Sequence, residues 1–308
     1  MALPLANSPA QDSAAACLSP ASRVRPERRA FDAPAPLRLW HLVSLDAPSV
    51  AVAWSLGFAW VADVRLPMWV PVLLALGTWA VYIGDRLLDV RAALRSGDLH
   101  RLRDRHFFHW RHRLILAPLA VVAAIAAAAI IFVLMPPGIR ERNSVLAVAA
   151  LAYFSGVHSP RSSAVWQSPL LSKEFLVGVL FTAGCALPVL SHLSIPARTG
   201  LPVTLFLPGV AYFAVLAWLN CRAIERWESG DGSRILFIAN LLGLTGLLLA
   251  VEFAPSHSRL AALFAAGAAS ALLLALLDRL RAQFTPLALR AAADIVLLTP
   301  FLLLLTAR

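Results

Sequence analysis

The feature that most limits what this chain can become is a succession of long apolar blocks with almost no charge inside them. Each approaches the roughly 20 residues that an α-helix needs to cross the hydrocarbon of a bilayer. A water-soluble fold hides its apolar side chains behind a charged surface. A chain that is 59% hydrophobic and only 14% charged has too little polar surface to do so. The expected class is therefore an all-α polytopic membrane protein.

Nine blocks qualify, at about 47–63, 67–84, 114–135, 143–157, 174–193, 202–220, 234–252, 259–277 and 288–306, the fourth being the shortest. Residues 1–36, rich in Pro, Ala, Ser and Arg, read as a disordered tail, and residues 37–308 as a nine-helix transmembrane domain. The tail lacks the apolar core of a signal peptide.

Charge orients the bundle. With the N-terminus cytoplasmic, the inner segments carry five Lys/Arg in the tail, eight between spans 2 and 3, two between 4 and 5, three between 6 and 7, and three between 8 and 9. The outer side holds six: Arg65, Arg140, Arg142, Arg198, Arg259 and Arg308. Positive charge gathers on the cytoplasmic side of membrane proteins, and one missed span would swap the sides of every later loop. The expectation is a multi-pass protein of a bacterial inner membrane, with its C-terminus outside. The formal charge of +10 is thereby assigned to topology and lipid headgroups, and nucleic acid is not an expected partner. Cys17, Cys185 and Cys221 have no paired spacing, so neither a disulfide framework nor a zinc site is implied.

Polar residues collect at the inner ends of the even-numbered spans. Span 2 ends in Gly84-Asp85-Arg86-Leu87-Leu88-Asp89. Asp85 and Asp89, four apart, share a helix face, where they repel one another and oppose the macrodipole. Arg86 and Arg91 can compensate in a salt-bridge cluster. So can a divalent cation, and Mg²⁺ suits carboxylates combined with substrate phosphates. Span 6 ends in Asn220-Cys221-Arg222-Ala223-Ile224-Glu225-Arg226-Trp227-Glu228. Asn220 and Glu228 offer oxygen to a hard cation, while Glu225 and Glu228 equally suit pairing with Arg222 and Arg226.

Between spans 2 and 3, His100, His106, His109 and His112 alternate with Arg103, Arg105 and aromatic residues. That spacing is not a zinc pattern; it suits a basic aromatic lid at headgroup level, or a solvated positive loop. Three isolated polar residues read structurally: Asp46 as a helix cap before Pro48, Asn240 as a bond to a neighbouring helix, and Asp294 as a partner of Arg290.

This layout resembles the UbiA-type intramembrane prenyltransferase family over residues 38–306. That family is similar in having nine spans, and its motif Asn-Asp-x-x-Asp-x-x-x-Asp closes spans 2 and 6. In the first register Asp85 and Asp89 are present, with Val81-Tyr82 in place of Asn-Asp. In the second, Asn220 is kept and Glu228 stands for the last Asp, with Cys221 and Ile224 in the middle positions. The resemblance implies that Asp85, Asp89, Asn220 and Glu228 hold Mg²⁺ on a prenyl diphosphate. Tyr153 with Lys173 or Arg161 would face the diphosphate, and inner-loop arginines such as Arg86 and Arg105 would neutralise it. Glu225 would accept a proton from a lipophilic or aromatic acceptor. Trp79, Tyr82, Trp218 and Phe213 would stabilise an allylic cation. The alternatives are a lipid-binding relative without turnover and a small transporter with Asp294 as its ionisable group.

Overall fold

Helix α3 (Trp69–Ser96) sets the scale of the molecule. Its 28 residues at about 1.5 Å per residue exceed the roughly 30 Å of bilayer hydrocarbon, so its charged last turns project beyond it. It stops at Gly97, whose φ of 74° is the left-handed conformation that closes a helix. In this computed structural model the described residues are 30–97, 102–157, 173–193, 201–229 and 234–306.

Before α3 come α1 (Ala35–Leu42) and α2 (Asp46–Val61), bent by 87° from one another. After it follow α4 (Asp104–Arg111), α5 (Arg113–Val133), α6 (Pro137–Val157) and α7 (Lys173–Leu193). Then come α8 (Val203–Ser229), α9 (Ile235–Phe253) and α10 (Ser258–Leu280). A 3-10 turn (Arg281–Gln283) leads to α11 (Pro286–Ile295), and a second (Val296–Leu298) to α12 (Pro300–Thr306).

All regular elements among the described residues are helical, and every predicted apolar block is matched by helix. Among the described residues six helices are long and apolar enough to cross a membrane, or up to seven if the bent α1–α2 pair is one broken span, which is the pattern of a multi-pass membrane protein. The lipid-facing character is plain on α5, where Leu114 is 82% exposed.

The structure departs from the sequence reading in three places. Helix runs well past the apolar blocks 67–84 and 202–220: beyond the polar ends expected at Asp89 and Glu228 it reaches Ser96 and Ser229, because polar side chains leave the backbone hydrogen-bond ladder intact. Residues 31–34, assigned to the tail, dock: Phe31 donates its N–H to the Gln283 carbonyl at 2.6 Å and its ring meets Phe284 edge-on at 5.6 Å. The final block is not one helix. Thr285 caps α11 by accepting from the Ala288 N–H at 3.3 Å, with Pro286 at the first position. Pro300 lacks an N–H and interrupts the ladder. Carbonyls freed there are met by neighbours: Trp54 Nε1 donates to Leu297 O at 2.8 Å and Ser270 Oγ to Val296 O at 2.5 Å.

The core lies between α2, α7, α8 and α10. Trp54 stacks on Phe213 at 3.9 Å, and Phe58 meets Phe206 edge-on at 5.4 Å. Gly178 lets α7 reach the α8 backbone, where an added Cβ would stand 2.9 Å from Trp218 N.

Candidate functional site

The C-terminal half of α3 presents Asp85, Arg86 and Asp89 within about one turn. Arg86 is 4% exposed; its Nη1 donates to Ser44 Oγ, and its Nη2 lies 3.9 Å from Asp46 Oδ2. Asp89 is half-buried, with Oδ2 3.8 Å from His106 Nε2.

Helix α4 joins this end to that of α8. The Arg103 N–H donates to His106 Nδ1 at 3.0 Å, which turns Nε2 towards Asp89. One residue earlier, Arg105 Nη1 donates to Glu228 Oε1 at 3.1 Å. Arg290 of α11 bonds the same oxygen at 2.6 Å, and Arg103 Nε stands 3.6 Å from Oε2. Three guanidinium groups from two elements thus surround one carboxylate. Burial, followed by the charge of Arg290, brings Arg105 down to about 9, still protonated at neutral pH. A cleft of about 240 Å³ opens beside Glu228, lined by Trp227, Arg281, Phe284 and Arg290 among others.

His109 closes the network from above. Its Nδ1 donates to the Arg105 carbonyl at 2.6 Å, so Nε2 accepts from Ser44 Oγ at 3.0 Å. Burial pushes His109 down to about 4; the Arg105 carbonyl opposes the shift and the Arg86 charge reinforces it. Ser44, which receives these contacts, has a φ of 61°, a conformation uncommon outside glycine. Its two hydrogen bonds hold the α1–α2 bend in place.

Deeper still, His41, Asp46 and Asp294 meet. His41 Nδ1 is 2.7 Å from Asp46 Oδ2 and 3.5 Å from Asp294 Oδ2. Asn220 Nδ2 donates to Asp294 Oδ1 at 3.3 Å.

The structure therefore sorts the sequence-predicted residues. Asp89 and Glu228 are each met by α4, through His106 and Arg105 respectively, and Arg86 lies three residues before Asp89 on α3. Asp85 lies one turn before Asp89 on α3. Asn220 does not face Glu228's partners; it faces Asp294. Glu225 is half exposed and bonded to Arg222. Tyr153 and Lys173 lie in α6 and α7 with side chains outside the described residues, and Arg161 lies wholly outside them. Phe213 is core packing, since it stacks on Trp54, and Trp79 Nε1 donates to Val43 O at 2.8 Å, anchoring the bend. Arg290 does not pair with Asp294, because Glu228 holds its guanidinium. Asp46 is the first residue of α2; it accepts from the adjacent Ala47 N–H at 2.9 Å as a cap would, but also holds His41. Asn240 bonds the Leu236 carbonyl of its own helix at 2.7 Å rather than a neighbour.

The His41–Asp46–Asp294 group was missed by sequence reasoning. Its members are 248 and five residues apart along the chain, by their numbers, and lie in different helices. The one available signal was a histidine and an aspartate flanking a Ser-Leu break before Pro48. No family model matches this sequence, and neither the curated proteins nor the solved structures contain a match.

Proposed function

We propose that this chain is a membrane-embedded, Mg²⁺-dependent prenyltransferase-like enzyme of the UbiA type. It would move a prenyl group from a prenyl diphosphate to a lipophilic or aromatic acceptor. The reading includes nine spans in a bacterial inner membrane, with the N-terminus cytoplasmic and the C-terminus outside. The observation that carries it is that adjacent residues of α4 touch both acidic helix ends: His106 faces Asp89 and Arg105 bonds Glu228. Two oxygen-bearing tips far apart in sequence are thereby drawn to one cationic surface.

Mg²⁺ is commonly held by one or two carboxylates together with substrate phosphates. Asp85 and Asp89, one turn apart on α3, fit that donor set. Glu228 and Asn220, as placed, do not: three arginines surround the first and Asp294 engages the second. We therefore assign Arg103, Arg105 and Arg290 to the diphosphate, with Glu228 as the internal anion it displaces. Guanidinium forks match phosphate oxygens, and a partly buried setting strengthens the attraction. Bound at Asp85 and Asp89, Mg²⁺ would offset charge on the departing pyrophosphate. Glu225, paired with Arg222, would take a proton from the acceptor once that pair opens.

A second reading, isoprenoid or lipid binding without turnover, is favoured by the saturation of Glu228 with three internal cations. Purified protein supplied with a prenyl diphosphate and Mg²⁺ separates the two. Release of pyrophosphate that is lost in Asp89→Asn supports the enzyme. Saturable binding with no release selects the second reading, and absence of both removes them together.

A further inference from the structure

A second polar site lies apart from Asp85, Asp89 and Glu228, and it does not rest on the prenyl-transfer reading. We infer that His41, Asp46 and Asp294 form a binding site for one divalent first-row transition cation, with Asn220 at its edge bonded to Asp294.

The geometry comes first. One nitrogen and two carboxylate oxygens, from α1, α2 and α11, all lie within 4.8 Å of one another. Ligands held about 2.0–2.2 Å from a common ion stand roughly 3 Å apart, the spacing found between His41 Nδ1 and both carboxylates at 2.7 and 3.5 Å. Among the described residues this is the one group of three or more His, Cys, Asp or Glu side chains so placed.

Two buried atoms point the same way. His41 is 1% exposed, and its Nδ1 lies within ion-pair reach of both carboxylates, at 2.7 and 3.5 Å, without an aligned hydrogen bond to either. Asn220 is 5% exposed, and its Oδ1 has no partner among the described residues. A buried polar atom left without a partner is costly, and a bound ion is one of the few explanations for it. The two residues belong to different helices, and both contact Asp294, His41 through Nδ1 and Asn220 through Nδ2.

Charge comes next. Two carboxylates side by side away from water repel strongly and need compensation. Arg86, 3.9 Å from Asp46, offsets one. Arg290, four residues before Asp294 on α11, bonds Glu228 and so offsets Asp294 only from a distance. A cation at the centre supplies what is missing. The donor set decides which. An imidazole nitrogen among oxygen ligands favours Zn²⁺, Mn²⁺, Fe²⁺ or Co²⁺ over Mg²⁺ and Ca²⁺, which take oxygen alone. Asp294, with 15% of its side chain exposed, is the least buried of the three ligands. A bound ion would tie the 87° bend of α1–α2 to α11 and α8.

The test uses the full chain, purified in detergent and stripped with chelator. Equilibrium dialysis against Zn²⁺, Mn²⁺ or Mg²⁺, followed by elemental analysis, is expected to give about one tightly held Zn²⁺ or Mn²⁺ per chain and no comparable Mg²⁺. His41→Gln and Asp294→Asn should each weaken binding by roughly tenfold or more. Asp63→Asn, at an exposed pair with Arg259, should leave it unchanged. Should a ligand variant fail to fold, the wild-type protein loaded with Mn²⁺ gives an independent readout: pulsed EPR should detect coupling to one imidazole nitrogen. Less than about a tenth of an equivalent bound, wild-type affinity in both variants, or no imidazole coupling overturns the inference. His41 would then be an imidazolium bridging two acids. None of these readouts involves pyrophosphate release, so failure here leaves the transferase reading standing, and the reverse.

Discussion

Arg105 and Glu228 meet at 3.1 Å although 123 residues separate them in the chain. That bond fastens the short helix α4 across the C-terminal ends of α3 and α8. It brings a basic side chain from a loop into contact with the acid that ends a predicted span.

The strength of that fastening is measurable. Arg105→Gln and Glu228→Gln, made singly and together, should show a coupling of about 1–2 kcal/mol in a double-mutant cycle on thermal or denaturant unfolding in detergent. Additive effects would mean that α4 is held by its other contacts.

The arginine cluster should govern anion binding. Arg290→Gln removes one of Glu228's three cations and is expected to weaken prenyl diphosphate binding by roughly tenfold, since a charge-assisted pair contributes about 1.5–3 kcal/mol. Titration calorimetry with a prenyl diphosphate checks this. Unchanged affinity would remove Arg290 from the proposed subsite.

Acid should destabilise the fold through His109. Its folded-state value of about 4 lies below the ordinary 6.5, so the unfolded chain binds the extra proton first. The stability that neutral His109 contributes is fully present above pH 6.5 and is lost as pH falls from there towards 4. His109→Gln should flatten this part of the stability profile, followed by circular dichroism in detergent between pH 7 and 4.

The break in the last helix depends on its partners. Ser270→Ala leaves the Val296 carbonyl without the hydroxyl that bonds it at 2.5 Å, and should cost about 1–3 kcal/mol. Ser270→Thr, which keeps a hydroxyl, should recover part of the loss in thermal unfolding.

Close packing of α7 on α8 is similarly exposed to test. Gly178→Val would drive a side chain into the Trp218 backbone, where even a Cβ comes within 2.9 Å. An unfolding penalty of about 1–3 kcal/mol is expected from overpacking, read as a lowered melting temperature.

Much of the architecture was legible from the chain alone. Apolar blocks such as Ile235–Phe253 and Arg113–Val133 appear as helices close to their expected bounds, because hydrocarbon accepts only a backbone that satisfies its own hydrogen bonds. The i, i+4 spacing placed Asp85 and Asp89 on one face for the same local reason. The partners of the polar residues were not legible in that way. Asp294 had Arg290 one turn away in sequence, yet it faces His41 and Asn220, while Arg290 turns to Glu228.

Hydropathy and helical period act over a few turns of one segment, and they determined that this chain forms helices long and apolar enough to cross a membrane, some with polar ends. Which of those ends meet depends on how bent and broken segments pack: the 87° turn at Ser44 and the interruption before Pro300. Such contacts link residues hundreds of positions apart and carry no periodic signature. Only the tertiary structure decides that His41, Asp46 and Asp294 share one buried point.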